Sequence, residues 1–530
     1  MHSGIAAFYS LGHGKKEAER HRMGPSTGIV SGARSRHFDE VEARARAIAG
    51  GLHRLGLRQG DRVCILMRND IVFVEITYAV TMLGGYAVPI NWHFTPGEVA
   101  YVVADAGARV LIGHADLLAA LGPAVDAGVR RLGVAVPPEV ASAYPEAAAS
   151  VPAADDFEPW LSVAQPYDGV PQPAPASMIY TSGTTGRPKG VRRNPPTPEE
   201  AARMAWVRET VYGLRAGIRA LVPGPLYHSA PNAFALRAGR LGGVLVLMPR
   251  FDAEGLLALI ERERIDCVLM VPTMFVRLLR LPAAVRARYD LSSLRHVIHA
   301  AAPCPPEIKR QMLDWWGPVI YEFYGSTEAG VVTFATPDDA RRKPGTVGRV
   351  FDGCELKFFD AKAGWLAAGE VGEIFSRAAG YPEFTYQNLP DRRREIERAG
   401  FITSGDIGYI DRDGFVFLSD RKRDMVISGG VNIYPAEIEA ALHSLPGVHD
   451  CAVFGIPDAE FGEGLMAVIE PAPGTVPDLD EIRAGLKARL AHYKVPKYLE
   501  VRSSLPREDS GKIYKRMLRD PYWRNAGRNI

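Results

Sequence analysis

Apolar residues recur along this chain at two spacings, and the spacings alternate. Val41, Ala45, Ile48, Leu52 and Leu55 fall three to four residues apart, the period of one helical face. Residues 63–67 form a short unbroken apolar run, closed by Gly60-Asp61 before it and Arg68-Asn69 after it, which predicts a buried strand. A second helical stretch covers 72–82, and 86–90 turns extended again. Residues 268–271 and 296–298 repeat the buried-strand pattern. Helix and strand in alternation predict an α/β fold of layered sheets with helices on their faces.

The texture then changes twice. Residues 151–176 are rich in Pro and Ala and read as a connector. From about 345 to 420 the apolar runs shorten and are separated by Gly and Asp-Gly turns, which predicts a small β subdomain. Within it, 409–410 and 415–418 flank Asp411-Arg412-Asp413-Gly414, a hairpin signal. The charged run Asp420-Arg421-Lys422-Arg423-Asp424 is a candidate linker into a fresh pattern. There Pro435 stands at a first helical position with Glu437 and Glu439 behind it, and 451–456 is a strand. Asp478 and Glu481 have capping-box spacing, ahead of an apolar face of Ile482, Leu486 and Leu490. The expected architecture is a large N-terminal domain, residues 1–421, hinged to a small α+β C-terminal domain, residues 422–530.

Composition narrows the function. The chain has 530 residues, too many for a single core. Its 47% hydrophobic and 23% charged content is that of an ordinary soluble enzyme, and a formal net charge of +2 gives no electrostatic reason for a nucleic-acid partner. The five cysteines are scattered without CxxC spacing, which argues against a disulfide framework or a zinc site and fits a reducing cytoplasmic compartment. No apolar run reaches a membrane-spanning length, no secretory signal is expected at the N-terminus, and Arg528-Asn529-Ile530 is not a peroxisomal address.

Five segments carry chemistry. Tyr180-Thr181-Ser182-Gly183-Thr184-Thr185-Gly186-Arg187-Pro188-Lys189-Gly190 is small, hydroxylated and flexible, with one cation near its end. Glycines let backbone N–H groups converge on an anion, Ser and Thr add donors, and Lys189 adds charge, so the run predicts a phosphate cradle. It is not the G-x-x-x-x-G-K-[ST] loop, because its lysine follows a proline. The other four are Glu322-Phe323-Tyr324-Gly325-Ser326-Thr327-Glu328, Ser404-Gly405-Asp406, Ser428-Gly429-Gly430 and Pro506-Arg507-Glu508-Asp509-Ser510-Gly511-Lys512. An aromatic face suits a purine, and a hard carboxylate oxygen suits Mg²⁺ attached to phosphate.

The phosphate run and these four segments together resemble the adenylate-forming superfamily, which includes acyl-CoA synthetases, luciferases and peptide-synthetase adenylation domains. The resemblance implies a two-step reaction: a carboxylic acid joins AMP with loss of pyrophosphate, and a thiol then displaces AMP. It implies that residues 181–186 and Lys189 grip the triphosphate, and that Ala301, Ala302 and Pro303 wall the adenine slot opposite Tyr324 in the Glu322-to-Gly325 segment. Thr327 would bond the α-phosphate, Glu328 would hold Mg²⁺, Glu322 would accept from the adenine amino group, and Asp406 with Arg421 would hold the ribose. Ser428, Gly429 and Gly430 would border a CoA tunnel, and Arg423 occupies the domain-rotation pivot where Asp or Lys is usual. Pro225-Leu226-Tyr227-His228 resembles the acyl gate, with His228, Asn232, Phe234 and Gly325 as pocket candidates. Gly325 in place of the Trp of acetate-specific relatives implies an acid larger than acetate, and Pro435 favours free CoA over a carrier protein.

Lys512 is the implied catalytic lysine, for a reason that chemistry supplies. A carboxylate must attack an anionic phosphate, and two unit charges about 4 Å apart repel by roughly 4 kcal/mol at an effective dielectric of 20. An interposed ammonium offsets this. The expected enzyme is an ATP-, Mg²⁺- and CoA-using ligase of a small-molecule acid, with fatty, aryl and sterol-like acids all open. A carrier-protein-loading enzyme and a catalytically silent nucleotide-binding protein are the rivals. Arg192 and Arg193, just past the phosphate loop, either meet CoA phosphates or face water.

Overall fold

The computed structural model describes residues 27–145, 156–181, 187–378, 380–421, 424–428, 431–458, 461–507 and 513–524. Near its start, strands Arg62–Leu66, Tyr86–Pro89, Val110–His114 and Arg130–Val134 form an all-parallel sheet in the order second, first, third, fourth. Helix Ile71–Met82 is buried nearly all round, including Glu75, whose carboxylate is met by Arg36 and Arg44. That pairing is what makes a charge tolerable there. Helix Phe38–Arg54 buries Val41, Ala45, Ile48 and Leu52 as expected, while Leu55 falls beyond its end and is exposed.

The connector is more ordered than its composition predicts. Helix Phe157–Ser162 lies within it, with Phe157 fully buried. It packs so closely on helix Phe38–Arg54 that a Cβ on Gly51 would stand 2.4 Å from the Trp160 ring.

The main sheet runs parallel through Gly28–Ser31, Val244–Leu247, Arg219–Val222, Cys267–Met270, His296–His299 and Ile320–Ser326. It then continues antiparallel through Gly330–Ala335, Thr346–Val350, Phe415–Arg421, Phe401–Ile410, Gly372–Ala378 and Cys354–Asp360. The β region expected at 345–420 is thus hydrogen-bonded onto the α/β sheet. Its hairpin turn is held by Asp411, whose Oδ1 accepts from the N–H groups of Asp413 and Phe415, both at 2.9 Å. One segment leaves that region: Phe384–Tyr386 crosses over to pair with Lys189–Arg193, which in turn pairs with Ile179–Thr181. The strand after the phosphate loop is thereby tied to the β region.

The last part has its own sheet, built of Val426–Ser428, Val431–Ile433, Val448–Asp458, Gly462–Pro471 and Tyr498–Val501. Helix Pro435–His443 starts at its proline, and Asp478 caps helix Leu479–Lys487 through the N–H groups of Asp480 and Glu481. Two apolar clusters here draw only on residues between 426 and 522. Five sites, Arg423, Gly429, Gly430, Lys512 and the 182–186 loop, lie outside the described residues.

Candidate active site

Strand Ile320–Ser326 and strand Gly330–Ala335 form a hairpin whose turn is Thr327-Glu328-Ala329. Side chains alternate along the first strand, so Tyr324 and Phe323 face opposite ways. Tyr324 points towards strand Phe401–Ile410 and donates its hydroxyl to Asp406 Oδ2 at 2.9 Å. Asp406 is the backbone partner of Arg421 in the ladder. The expected adenine platform and the expected ribose carboxylate are therefore adjacent. Phe323 instead packs edge-on against Tyr212 at 5.4 Å in the core, which removes it from the nucleotide side.

Glu322 departs from expectation. Its carboxylate forms a buried ion pair with Lys309 of helix Pro306–Trp316, with His299 3.9 Å away. Burial pushes the Glu322 carboxyl up, opposed by Lys309, and burial with the Lys309 charge pushes His299 well below the ordinary imidazole range. A carboxylate engaged by a lysine is a poor acceptor for an adenine amino group. Glu322 pairs across the ladder with His299, which Ala300 separates from Ala301, Ala302 and Pro303. Ala301 sits at φ 74°, an uncommon conformation for a residue with a side chain, and its surface is exposed.

The phosphate side converges on Tyr386. Its hydroxyl donates to Glu328 Oε1 at 2.9 Å, and Lys189 Nζ lies 5.4 Å from its ring centroid. Burial together with the Glu328 charge pushes the Tyr386 phenol up, so it remains a donor at neutral pH. Burial pulls the Lys189 ammonium down, helped by Arg392, while Glu328 opposes the shift. Thr181 faces Lys189 across the ladder. Lys189 and Glu328 thus flank one tyrosine, a cation and a carboxylate on either side of the same ring.

Arg193 corrects the expectation of a CoA- or water-facing arginine. It is half-buried and donates to the carbonyls of Thr327, Glu328 and Pro382 while lying over the rings of Tyr381 and Phe384. It holds the turn that carries Thr327 and Glu328.

The acyl-gate loop is pinned by two asparagines. Asn69 accepts from the Leu226 N–H at 2.8 Å and donates to the carbonyls of Gly224 and Met248. Asn232 is buried and donates to the Leu226 carbonyl at 3.0 Å, so its amide supports the loop and does not line a pocket. His228 stands at the start of helix Ser229–Ala238, its ring 4.5 Å from that of Tyr227. Phe234, another pocket candidate, is completely buried and packs on Tyr212. Gly325 has a backbone reason: a Cβ there would come within 2.0 Å of the Gly330 carbonyl oxygen at a register shift of the hairpin. Its identity therefore says less about acid size than the resemblance implied. Ser428 ends strand Val426–Ser428, opposite Val431 and Gly462.

The loop that carries Lys512 is closed at its base by a bridge between Arg507 and Ile513. Arg507 is ion-paired with Asp450 at 2.7 Å and Glu470 at 2.9 Å, which fixes the root of that loop to the small sheet.

The sequence reading missed Tyr386, Asn69 and the role of Arg193. All three act through pairings between distant segments, and neither spacing nor composition signals such pairings.

Known proteins extend this picture. The chain matches the model of the AMP-binding enzyme family over residues 16–381 and that of the AMP-binding enzyme C-terminal domain over 437–512. It is 36% identical to a feruloyl-CoA synthase of an Amycolatopsis species, covering 96% of this chain and 98% of that protein. It is 32% identical to the long-chain-fatty-acid–CoA ligase FadD13 of Mycobacterium tuberculosis, covering 92% and 93%. The structure of ATP-bound MatB from Rhodopseudomonas palustris superposes with a TM-score of 0.80 at 27% identity, covering 95% of this chain and 97% of that one. Among the described residues no helix is long and apolar enough to cross a membrane. With full-length likeness to acid–CoA ligases and ATP and CoA as the substrates that such a likeness brings, the chain belongs to the AMP-binding enzyme family, as an AMP-forming acyl-CoA ligase of the adenylate-forming superfamily.

Proposed function

We propose that this ligase activates an acid larger than acetate at the cleft between Tyr386 and the Tyr324–Asp406 pair, working in the cytoplasm. The observation that carries the reading is the convergence of Lys189 and Glu328 on Tyr386, beside a tyrosine bonded to a ribose-ready carboxylate. Lys189 and the 182–186 loop grip the triphosphate. Tyr324 offers its face to adenine, and Asp406 accepts from the ribose. Glu328, oriented by Tyr386, fits a Mg²⁺ carried in with the nucleotide, and that ion would neutralise phosphate charge as pyrophosphate leaves. Thr327 donates to the α-phosphate. His228 borders the carboxylate of the acid.

Lys512 enters on its loop to relieve repulsion between acid and phosphate. The residues around 421–424 then act as the hinge between residues 1–421 and 422–530, and rotation brings the Ser428–Gly430 loop to the cleft for CoA. Closure keeps water from the acyl adenylate. The five cysteines are all free thiols, which fits a reducing compartment.

The test is a mixed acid pool with ATP, Mg²⁺ and CoA, analysed for thioesters by mass spectrometry and for AMP by chromatography. CoA-dependent AMP release with a new thioester supports the reading. Acid-dependent pyrophosphate exchange without any CoA thioester would instead indicate a carrier-protein acceptor. No exchange with any acid would sink it.

A further inference from the structure

Asp105 occupies a position that its own helix disfavours. It stands in the last turn of helix Pro96–Ala106, at the negative end of the helix dipole, and no basic residue shares that turn. Its two carboxylate oxygens go to opposite sides of the strand that carries Lys189. Three strands meet there in the order Phe384–Tyr386, Lys189–Arg193, Ile179–Thr181, so Lys189 lies on the central one.

On one side, Tyr180 pairs with Gly190 in the ladder and donates its hydroxyl to Asp105 Oδ2 at 2.7 Å. Its ring lies so close over Gly190 that a Cβ there would stand 2.8 Å from it. Burial and the bond to Asp105 push the Tyr180 phenol up, so it stays a donor. On the other side, Gln387 follows Tyr386 and donates its backbone N–H to the Gly190 carbonyl at 2.8 Å. The Gln387 amide reaches the Asp105 carbonyl at 3.3 Å, and Asn388 donates to that carbonyl at 2.8 Å and to Asp105 Oδ1 at 3.2 Å. Asn388 has φ 55°, a left-handed conformation that asparagine tolerates. One turn earlier on the same helical face, the Tyr101 ring lies 5.1 Å from the Arg187 guanidinium. A single helix face thus meets Tyr180, Arg187 and Asn388.

We propose that Asp105 is a positioning residue: by joining the chain on both sides of the central strand, it holds Lys189 where that lysine meets the outer phosphates of ATP. The inference rests on the reading above that Lys189 grips the triphosphate. A lysine is a point charge on a flexible stem, so its hold on a phosphate depends on where its backbone stands. AMP lacks the outer phosphates. Tyr324 and Asp406 serve ATP and AMP alike, whereas Lys189 serves ATP, and that difference separates positioning of Lys189 from a general effect on the fold.

The experiment titrates the full chain by calorimetry, without any acid, first with ATP in excess Mg²⁺ and separately with AMP. Asp105→Ala should weaken ATP binding by roughly tenfold, the scale of a hydrogen bond to a charged group, and change AMP binding by less than about twofold. Asp105→Asn keeps one oxygen and Tyr180→Phe removes one bond, so both should fall between wild type and Asp105→Ala. In a Lys189→Met background, Asp105→Ala should weaken ATP by less than about twofold more, because the two residues act through one contact. Equal losses for ATP and AMP, no loss for ATP, or full additivity with Lys189→Met would each overturn the proposal. Should Asp105→Ala fail to fold, Asp105→Asn and Tyr180→Phe decide by the same comparison of ATP with AMP. A wild-type chain that binds neither nucleotide would instead bring down the ligase reading, and this proposal with it.

Discussion

Arg193 gives the sharpest structural prediction. One guanidinium supplies three backbone carbonyls, those of Pro382, Thr327 and Glu328, and joins strand Lys189–Arg193 to the turn that carries Glu328. Arg193→Met keeps the apolar stem over Phe384 but removes every donor. Each orphaned carbonyl costs about 1–3 kcal/mol when buried, and the turn residues are only half-buried, so water recovers part of it. Removing a cation that burial already disfavours offsets a further share. The net loss expected is on the order of 3 kcal/mol, read as a fall in the urea midpoint. Catalysis should suffer separately, because the turn is free to move. A displacement of about 1 Å at a reacting centre costs roughly 10²-fold, so acid-dependent pyrophosphate exchange should drop on that scale, with a raised Mg²⁺ requirement. Arg193→Lys should fall between, since one ammonium cannot reproduce the planar fork. Full exchange per folded molecule in Arg193→Met, or wild-type behaviour in Arg193→Lys on both measures, would refute the positioning role.

Other outcomes follow from the same geometry. Tyr386→Phe removes the hydroxyl that orients Glu328, and the half-saturating Mg²⁺ concentration at fixed ATP should rise several-fold while the fold is spared. Asn232→Leu frees the Leu226 carbonyl, and the KM for the acid should rise more than that for ATP. Asp70 is buried; burial pushes its carboxyl up, but His114 and Arg34 outweigh burial and hold it at about 2. Its folded value is thus below its unfolded one, so its contribution is complete above about pH 4 and is lost as pH falls through 2. That contribution is on the order of 2 kcal/mol, and urea midpoints measured from pH 7 to pH 2 should fall more steeply in wild type than in Asp70→Asn.

Much of this architecture was legible in the sequence because local rules and long-range structure agree there. The apolar run around Ile65 is a strand since nothing else could bury it, and Pro435 and Asp478 mark helix starts by chemistry that needs no partner. The motif order located Tyr324, Asp406, Lys189 and Glu328, which the fold brings into two adjacent groups. What could not be read depends on contacts between remote segments. Phe384–Tyr386 looked like one more strand of a β region, and only the ladder with Lys189–Arg193 makes Tyr386 a neighbour of Glu328. Glu322 carried a motif role until Lys309 claimed its carboxylate. Phe234 was itself read as a pocket residue yet turns to the core, since helical phase decides facing and the sequence near a helix start gives phase poorly. Gly325 was read for the space it leaves in a pocket, while the nearest constraint is the Gly330 carbonyl.

The most direct test of the account separates the two half-reactions in Lys512→Ala. Adenylate formation, followed as acid-dependent exchange of pyrophosphate into ATP, should slow by roughly 10²–10³, the cost of losing one strong transition-state donor. Thioester formation from supplied acyl adenylate and CoA should be largely retained. Equal losses in both half-reactions, or no loss in the first, would contradict it.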